Sequence, residues 1–215
     1  MITAFLKGDP KTAEGMAAYM KNKFPFAGVK SPERRQQEHT LLVDSKQLTL
    51  SALKRQFATL YALPEREYQY VAIDMMQHNV TRLTRDDLAW LSDYITVKPW
   101  WDSVDAIRGV IGRVVKRHPD WLAEIGTWYK EKPDFWQRRV GITLQLGFKT
   151  LTDEAYLSEM MMADLTTDEF FIQKAIGWAL RDYSKTNPDW VRQFIADHQS
   201  KMSSLAVREG SKYLN

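Results

Sequence analysis

The most restrictive feature of this sequence is the even spacing of the positions where helices are predicted to begin. Proline, glycine and capping residues separate amphipathic stretches and place these starts in two interleaved series, with steps of 33 to 36 residues. One series begins near Leu50, Thr84, Pro119, Thr152 and Pro188, and the other near Pro64, Pro99, Phe135, Asp168 and Ser203. Helix pairs that recur with one period stack on each other to bury their apolar faces. The sequence therefore predicts an all-α fold, an α-solenoid of stacked antiparallel helix pairs.

Two further helices are predicted before these series. Pro10 begins one that ends before Pro25, and Ser31 begins another that ends after Leu42. A period near 35 is also typical of tetratricopeptide and ankyrin repeats, but the sequence motifs of both are missing, so a HEAT-like or armadillo-like array of shortened repeats fits better. Because no low-complexity linker interrupts the array, we expect a single domain over residues 1–215.

Composition excludes several kinds of site. The chain has no cysteine, which excludes disulfides, zinc ribbons, iron–sulfur clusters and thiol nucleophiles and fits a reducing cytoplasm. Its four histidines lie far apart in sequence, so we expect no metal site and no cofactor. No apolar run approaches the roughly 20 residues of a membrane span, and the first ten residues are too short for a secretory signal. The net charge of +3 permits a polyanionic partner if the basic residues gather on one surface.

The densest group of chemically active residues is the segment from Trp100 to Asp105, which holds two indoles and two carboxylates. In a helix, Trp101 and Asp105 are four residues apart and project from the same face. Indole and carboxylate together attract a positively charged species, through cation–π and Coulomb attraction. The alternative is an ordinary helix start with an acidic first turn, which suits Asp102. Asp105 lies a full turn further inside, where stabilisation by the helix dipole has faded.

In a solenoid, equivalent positions of successive second helices line one concave wall. The openings of these helices supply aromatic residues, namely Tyr68, Trp100, Trp101, Trp136 and Phe171. About one turn further come Asp105, Arg139 and Lys174, followed on the last of these helices by Trp178 and Arg181. Cations neutralise phosphates and ring faces contact sugars or bases, so alternating aromatic and basic residues predict a concave groove for nucleic acid.

Several of these residues also have a purely structural interpretation. Trp136 is favoured as a core residue, because aromatics at helix openings join neighbouring repeats. Trp178 lies in an apolar segment and Tyr19 lies on an apolar stripe, and both settings are typical of the core. Arg138 and Arg139 fit a solvated pair equally well.

Several strings together resemble one known family. They are Tyr19-Met-Lys-Asn, Ser31-Pro-Glu-Arg-Arg35, Pro64-Glu-Arg-Glu67, Trp100-Trp-Asp-Ser-Val-Asp105, Trp136-Gln-Arg-Arg139 and Phe170-Phe-Ile-Gln-Lys-Ala-Ile-Gly-Trp178 with Leu180-Arg181. In order and spacing, from about residue 9 to residue 212, the chain resembles the HEAT-like-repeat DNA alkylation repair enzymes, the AlkD-like alkylpurine DNA glycosylases.

The resemblance implies a DNA glycosylase that excises cationic N3- or N7-alkylated purines from duplex DNA in base excision repair. It places the family's catalytic carboxylate on Asp105 and its paired tryptophans on Trp101 and Trp178. The DNA-contacting arginine falls on Arg139 and the N-terminal tyrosine on Tyr19. It further implies that the alkylated base stays stacked while the enzyme works from the backbone side.

The remaining expectations concern partners. Together with Arg139, Lys174 and Arg181 are expected to hold the flanking phosphates. The expected partner is alkylated duplex DNA. We expect a monomer without membrane association, located in the cytoplasm and associated with the nucleoid. Family members begin with a longer helix where this chain has only residues 1–8, so a weak or inactive paralogue that binds DNA is the alternative. A protein-binding scaffold ranks last, because a peptide groove needs no carboxylate between indoles and arginines.

Overall fold

Helices supply all the regular secondary structure in residues 4–214, the part of the chain that this computed structural model describes, and no strand is found there. The predicted all-α fold is therefore confirmed. The α-helices are α1 (Pro10–Tyr19), α2 (Ser31–Ser45), α3 (Leu50–Ala62), α4 (Arg66–His78), α5 (Arg85–Ser92), α6 (Trp101–Arg117), α7 (Leu122–Thr127), α8 (Phe135–Thr143), α9 (Glu154–Met162), α10 (Phe170–Tyr183), α11 (Pro188–His198) and α12 (Ser204–Gly210).

The observed helix starts follow the predicted period. The second helices of the pairs, α4, α6, α8, α10 and α12, begin at residues 66, 101, 135, 170 and 204, in steps of 34 or 35 residues. Of the first helices, α3, α5, α9 and α11 begin within two residues of the predicted positions. The start predicted at Pro119 is a short 3-10 turn, Pro119–Trp121, which continues directly into α7.

The described chain divides into two compact units, one ending at Thr84 and one beginning at Arg85. The single domain expected from the sequence stays a prediction. In the first unit α3 packs against α4, and both pack their apolar faces into a shared core that includes Leu53, Phe57 and Val71. Tyr68, expected on the groove wall, is instead buried, and its hydroxyl accepts hydrogen bonds from backbone N–H groups near the start of the described chain.

The first helix begins as predicted but ends early. The Asp9 carboxylate caps α1 by accepting a hydrogen bond from the backbone N–H of Thr12 at 2.7 Å. The helix stops at Tyr19, before the expected end at Pro25, because Lys21 and Asn22 both adopt left-handed backbone conformations, with φ of 59° and 55°. Proline 25 is therefore not the residue that ends the helix.

In the second unit the later helices of each pair lie side by side. Helix α6 packs against α8, α8 against α10, and α10 against α12. Two glycines allow the closest approaches: a Cβ added to Gly112 would lie 2.7 Å from the carbonyl oxygen of Leu144, and one added to Gly177 would lie 2.5 Å from the Cβ atom of Glu209. This row of helices carries the residues of the candidate site. None of the described helices is long and apolar enough to cross a bilayer.

Candidate functional site

Helix α6 carries the predicted pair of an indole and a carboxylate. The helix begins at Trp101, directly after Trp100, whose backbone is extended. The backbone stays helical through Arg117, so Trp101 and Asp105 share one face, one turn apart, as predicted. Both residues are half-buried, and the side chain of Asp105 keeps 18% of its surface exposed to solvent. The carboxylate is therefore neither sealed in the core nor fully solvated.

The carboxylate of Asp105 is held by Arg139 of α8. Arg139 donates from Nε to Oδ1 at 2.9 Å and from Nη2 to Oδ2 at 2.8 Å, a bidentate charge-assisted pair. Its Nη1 atom donates to the backbone carbonyl of Phe171 at 2.6 Å. The Arg139 side chain is only 1% exposed, so its alternative interpretation as half of a solvated pair is wrong. A direct contact between Arg139 and DNA stays a prediction.

Trp178 of α10 joins this arrangement through the same arginine. The Cζ atom of Arg139 lies 5.0 Å from the centroid of the Trp178 ring, within the range of cation–π attraction. The Cζ atom of Arg181, one turn further along α10, lies 5.9 Å from the same centroid. Trp178 is half-buried and is therefore not the core residue that its apolar neighbours in sequence suggest.

An aromatic cluster lies next to Arg139. Trp100, Trp136 and Phe171 form it, with ring centroids 5.9, 5.2 and 4.7 Å apart in the three pairs. Trp136 is 4% exposed, which confirms its interpretation as a core residue. The cluster joins the openings of α6, α8 and α10, and it fixes the carbonyl of Phe171 that accepts a hydrogen bond from Arg139. These helix-opening aromatics therefore position Arg139 and, through it, Asp105.

The two expected phosphate-binding cations share one carboxylate that no sequence pattern singles out. Lys174 Nζ and Arg181 Nη1 contact the two carboxylate oxygens of Glu209, from α12, at 2.7 and 2.8 Å. The hydrogen bond from Lys174 lowers the pKa of Glu209, and the charge of Arg181 acts in the same direction. Glu209 lies 28 residues or more from both partners, so no local spacing signal identifies it.

Arg108 is a second residue that the sequence reasoning missed. It follows Asp105 by one turn on α6 and is half-buried. Among the described residues none accepts a hydrogen bond from its buried Nε atom. Burial lowers the pKa of the Arg108 guanidinium, and the charge of Asp105 opposes that shift. A spacing of three residues from Asp105 on a helix is the signal that identifies Arg108 as a neighbour of the site.

Tyr19 belongs to the first unit. It is the last residue of α1, and 71% of its surface is exposed, so its default interpretation as a core residue is wrong. Such exposure suits a residue that contacts a partner, and the role in DNA binding stays a prediction for Tyr19.

Known proteins resemble this chain in both sequence and structure. The family model described as DNA alkylation repair enzyme matches residues 5–214. The solved structure of a predicted DNA alkylation repair enzyme from Enterococcus faecalis shares 44% of its residues with this chain, covers 99% of both chains and superposes with a TM-score of 0.96. No curated protein matches the chain significantly.

Two more distant structures share the fold. AlkD2 from Streptococcus mutans is 16% identical over 94% of this chain and 99% of its own, with a TM-score of 0.68. The protein smu.31 from Streptococcus mutans UA159 is 16% identical over 95% and 100%, with a TM-score of 0.67. The HEAT-like helical repeat fold expected from the sequence is therefore confirmed. With a family match over almost its whole length and a close structural relative, the chain belongs to the DNA alkylation repair enzyme family.

Proposed function

We propose that this chain is a DNA glycosylase that excises cationic N3- or N7-alkylated purines from duplex DNA, as a step of base excision repair. The observation that carries the proposal is the partly exposed carboxylate of Asp105, which accepts two hydrogen bonds from Arg139. Trp101 shares its helix face, and Trp178 lies against the same arginine. Membership in a family of DNA alkylation repair enzymes supports DNA as the substrate.

Excision of a cationic base needs little general acid catalysis. Alkylation at N3 or N7 gives the purine a positive charge, so the base leaves with the electron pair of its glycosidic bond and becomes neutral. Positive charge then develops on the sugar as an oxocarbenium-like species, as it does in glycoside hydrolysis. A fixed anion beside the sugar and a positioned water therefore supply what the reaction needs.

Asp105 fits the role of this fixed anion. A carboxylate offers about four acceptor sites, and Arg139 uses two of them, which leaves the others for a water molecule. The bidentate clamp fixes the direction of the oxygens before the substrate binds, so reorganisation during the reaction is small. The water attacks the anomeric carbon and releases a proton to solvent, and the products are the free neutral base and an abasic sugar.

Trp101 and Trp178 are proposed to hold the deoxyribose. The negative faces of their rings attract the developing sugar cation. The residues proposed to contact the DNA backbone are Lys174, Arg181, Arg139 and Tyr19. The enzyme is proposed to act as a monomer and to use neither a metal nor a cofactor. These roles come from the family resemblance and from the residue types.

The test measures release of 7-methylguanine and 3-methyladenine from methylated duplex DNA by the wild type, Asp105→Asn and Asp102→Asn. Removing the charge of Asp105 is expected to slow release by about 100-fold to 1,000-fold, the cost of removing one preorganised electrostatic group from an active site. Asp102→Asn is the matched control, because it removes the same charge from the first turn of the same helix, at a residue to which the proposal assigns no role. Equal release by the wild type and Asp105→Asn contradicts the mechanism. Tight, salt-sensitive DNA binding without release by the wild type favours the non-catalytic paralogue instead.

A further inference from the structure

Lys174 and Arg181 lie on the face of α10 that α12 covers. Residues 174, 177 and 181 are spaced three and four apart, so they share one side of the helix. Gly177 has no side chain, and this lets α12 come so close that a Cβ at Gly177 would overlap the Cβ of Glu209. Glu209 is therefore seated between the two cations, with one carboxylate oxygen on each.

The carboxylate of Glu209 neutralises part of the positive charge on the surface that is proposed to bind DNA. Two cations and one carboxylate carry a net charge of +1, where the cations by themselves would present +2. The carboxylate also takes hydrogen-bond positions that a phosphate oxygen would take, because Lys and Arg bind both anions through the same donors. The side chain of Glu209 is 15% exposed, and both cations are partly exposed, so solvent and a ligand can reach the cluster.

We propose that Glu209 is an internal competitor for phosphate, which occupies Lys174 and Arg181 in the DNA-free protein and gives them up to the DNA backbone. The inference rests on the proposed function, because it assumes that the ligand of these cations is duplex DNA. In this proposal Glu209 sets the affinity of the protein for DNA and the dependence of that affinity on salt concentration. An intramolecular carboxylate of this kind disfavours weak encounters with undamaged DNA.

The energies are compatible with such an exchange. Ion pairs that solvent can reach contribute little net stability, so the Glu209 pairs do not hold the cations irreversibly. A backbone phosphate gains more from the same cations, because its binding also releases condensed counterions. The lowered pKa of Glu209 keeps its carboxylate charged near neutral pH, where it can compete.

The experiment measures binding of an undamaged duplex by fluorescence anisotropy across a series of salt concentrations. Glu209→Gln keeps the shape of the side chain and removes its charge. Its affinity is expected to rise about 3-fold to 10-fold at moderate salt, and the logarithmic salt slope to steepen by about one unit, the contribution of one added phosphate contact. Glu159→Gln is the matched control, because Glu159 is an exposed glutamate that pairs with Lys130 elsewhere in the same unit.

Equal affinities of Glu209→Gln and Glu159→Gln would overturn the inference, and so would weaker binding by Glu209→Gln, which is the result expected of a purely structural support. A second series repeats Glu209→Gln in a Lys174→Gln/Arg181→Gln background, where the proposal expects no further gain in affinity. Should Glu209→Gln fail to fold, Glu209→Asp replaces it, because the shorter side chain cannot bridge both cations, and the proposal expects an intermediate gain.

Undamaged DNA separates this inference from the proposed function. Failure to release alkylated bases contradicts the glycosylase proposal and leaves the affinity comparison intact. Conversely, normal base release with identical affinities of the two glutamate variants overturns only the role of Glu209.

Discussion

Arg139 clamps Asp105 with two parallel hydrogen bonds, of 2.9 and 2.8 Å, across a separation of 34 residues. The arginine is 1% exposed and the carboxylate 18% exposed, so the pair has one buried and one accessible partner. Such a pair holds the carboxylate in a fixed orientation, because the planar guanidinium cannot rotate without losing a bond.

The first prediction concerns this clamp. Arg139→Lys retains the charge but offers one point contact in place of a planar fork, so Asp105 loses its fixed direction. Base release is expected to fall by about 10-fold to 100-fold, the order of loss that follows a small misplacement of a reacting group. Single-turnover kinetics on methylated duplex DNA measure it. Arg138→Lys is the control one residue away, because Arg138 pairs with Asp164 and does not contact Asp105. Unchanged turnover in Arg139→Lys would show that the clamp is not needed.

The second prediction concerns Trp178. Trp178→Phe keeps an aromatic ring but weakens cation–π attraction, so the single-turnover rate is expected to fall several-fold while DNA affinity changes little. Trp190→Phe is the matched control, since Trp190 of α11 packs against Tyr183 of α10 and Phe194 of α11, away from the Arg139 contact that Trp178 makes. A loss confined to affinity, with the rate retained, would assign Trp178 to binding and not to stabilisation of the sugar cation.

The third prediction compares two glycines inside helices. Gly177→Ala places a methyl group 2.5 Å from the Cβ of Glu209, and the overpacking is expected to destabilise the protein by about 1 to 3 kcal/mol. Gly109→Ala meets nothing within 4 Å and is expected to stabilise it by about 0.5 to 1 kcal/mol, through helix propensity. Denaturant unfolding measures both free energies. Equal effects of the two substitutions would show that α12 does not pack on α10 at Gly177.

The fourth prediction concerns pH and the first unit. Glu38 of α2 is fully buried beside Arg34 and Asp74, and Arg34 donates to both carboxylates, at 2.7 and 2.6 Å. Burial raises the pKa of Glu38 from its ordinary value of 4.5 to about 7, the charge of Arg34 opposes this, and Asp74 adds to it. Between these two values the folded protein holds a proton that the unfolded chain has released, so stability falls as the pH rises from about 4.5 to about 7.

Glu38→Gln is expected to remove this dependence and to raise stability at pH 8 relative to the wild type, by up to about 3 kcal/mol. Urea unfolding at several pH values measures it. Glu14→Gln, at an exposed glutamate of α1, is the control and should leave the pH profile unchanged. The prediction is contradicted if the free energy of unfolding of the wild type rises between pH 5 and pH 7 and Glu38→Gln shows the same rise.

Much of the fold follows from local sequence signals. The starts of α4, α6, α8, α10 and α12 were predictable because proline, polar caps and aromatic openings recur at one spacing, and each signal acts within a single turn. The end of α1 differs from the prediction, because the chain leaves the helix at Lys21 and Asn22, and Asn is a residue type that tolerates the left-handed conformation. The local pattern favours a core position for Trp178 and Tyr19, and both are partly exposed, since amphipathic spacing reports an apolar face without saying whether another element covers it.

The shared face of Trp101 and Asp105 follows from the amino-acid sequence, because helix geometry fixes the direction of residues four apart. The pairing of Arg139 with Asp105, and of Glu209 with Lys174 and Arg181, follows from three-dimensional packing alone. These contacts join separate helices, and their geometry depends on how closely the helices pack, as at Gly177, where α10 and α12 approach each other. Spacing along the chain carries no information about such distances, because each one is the joint result of every side chain in the interface.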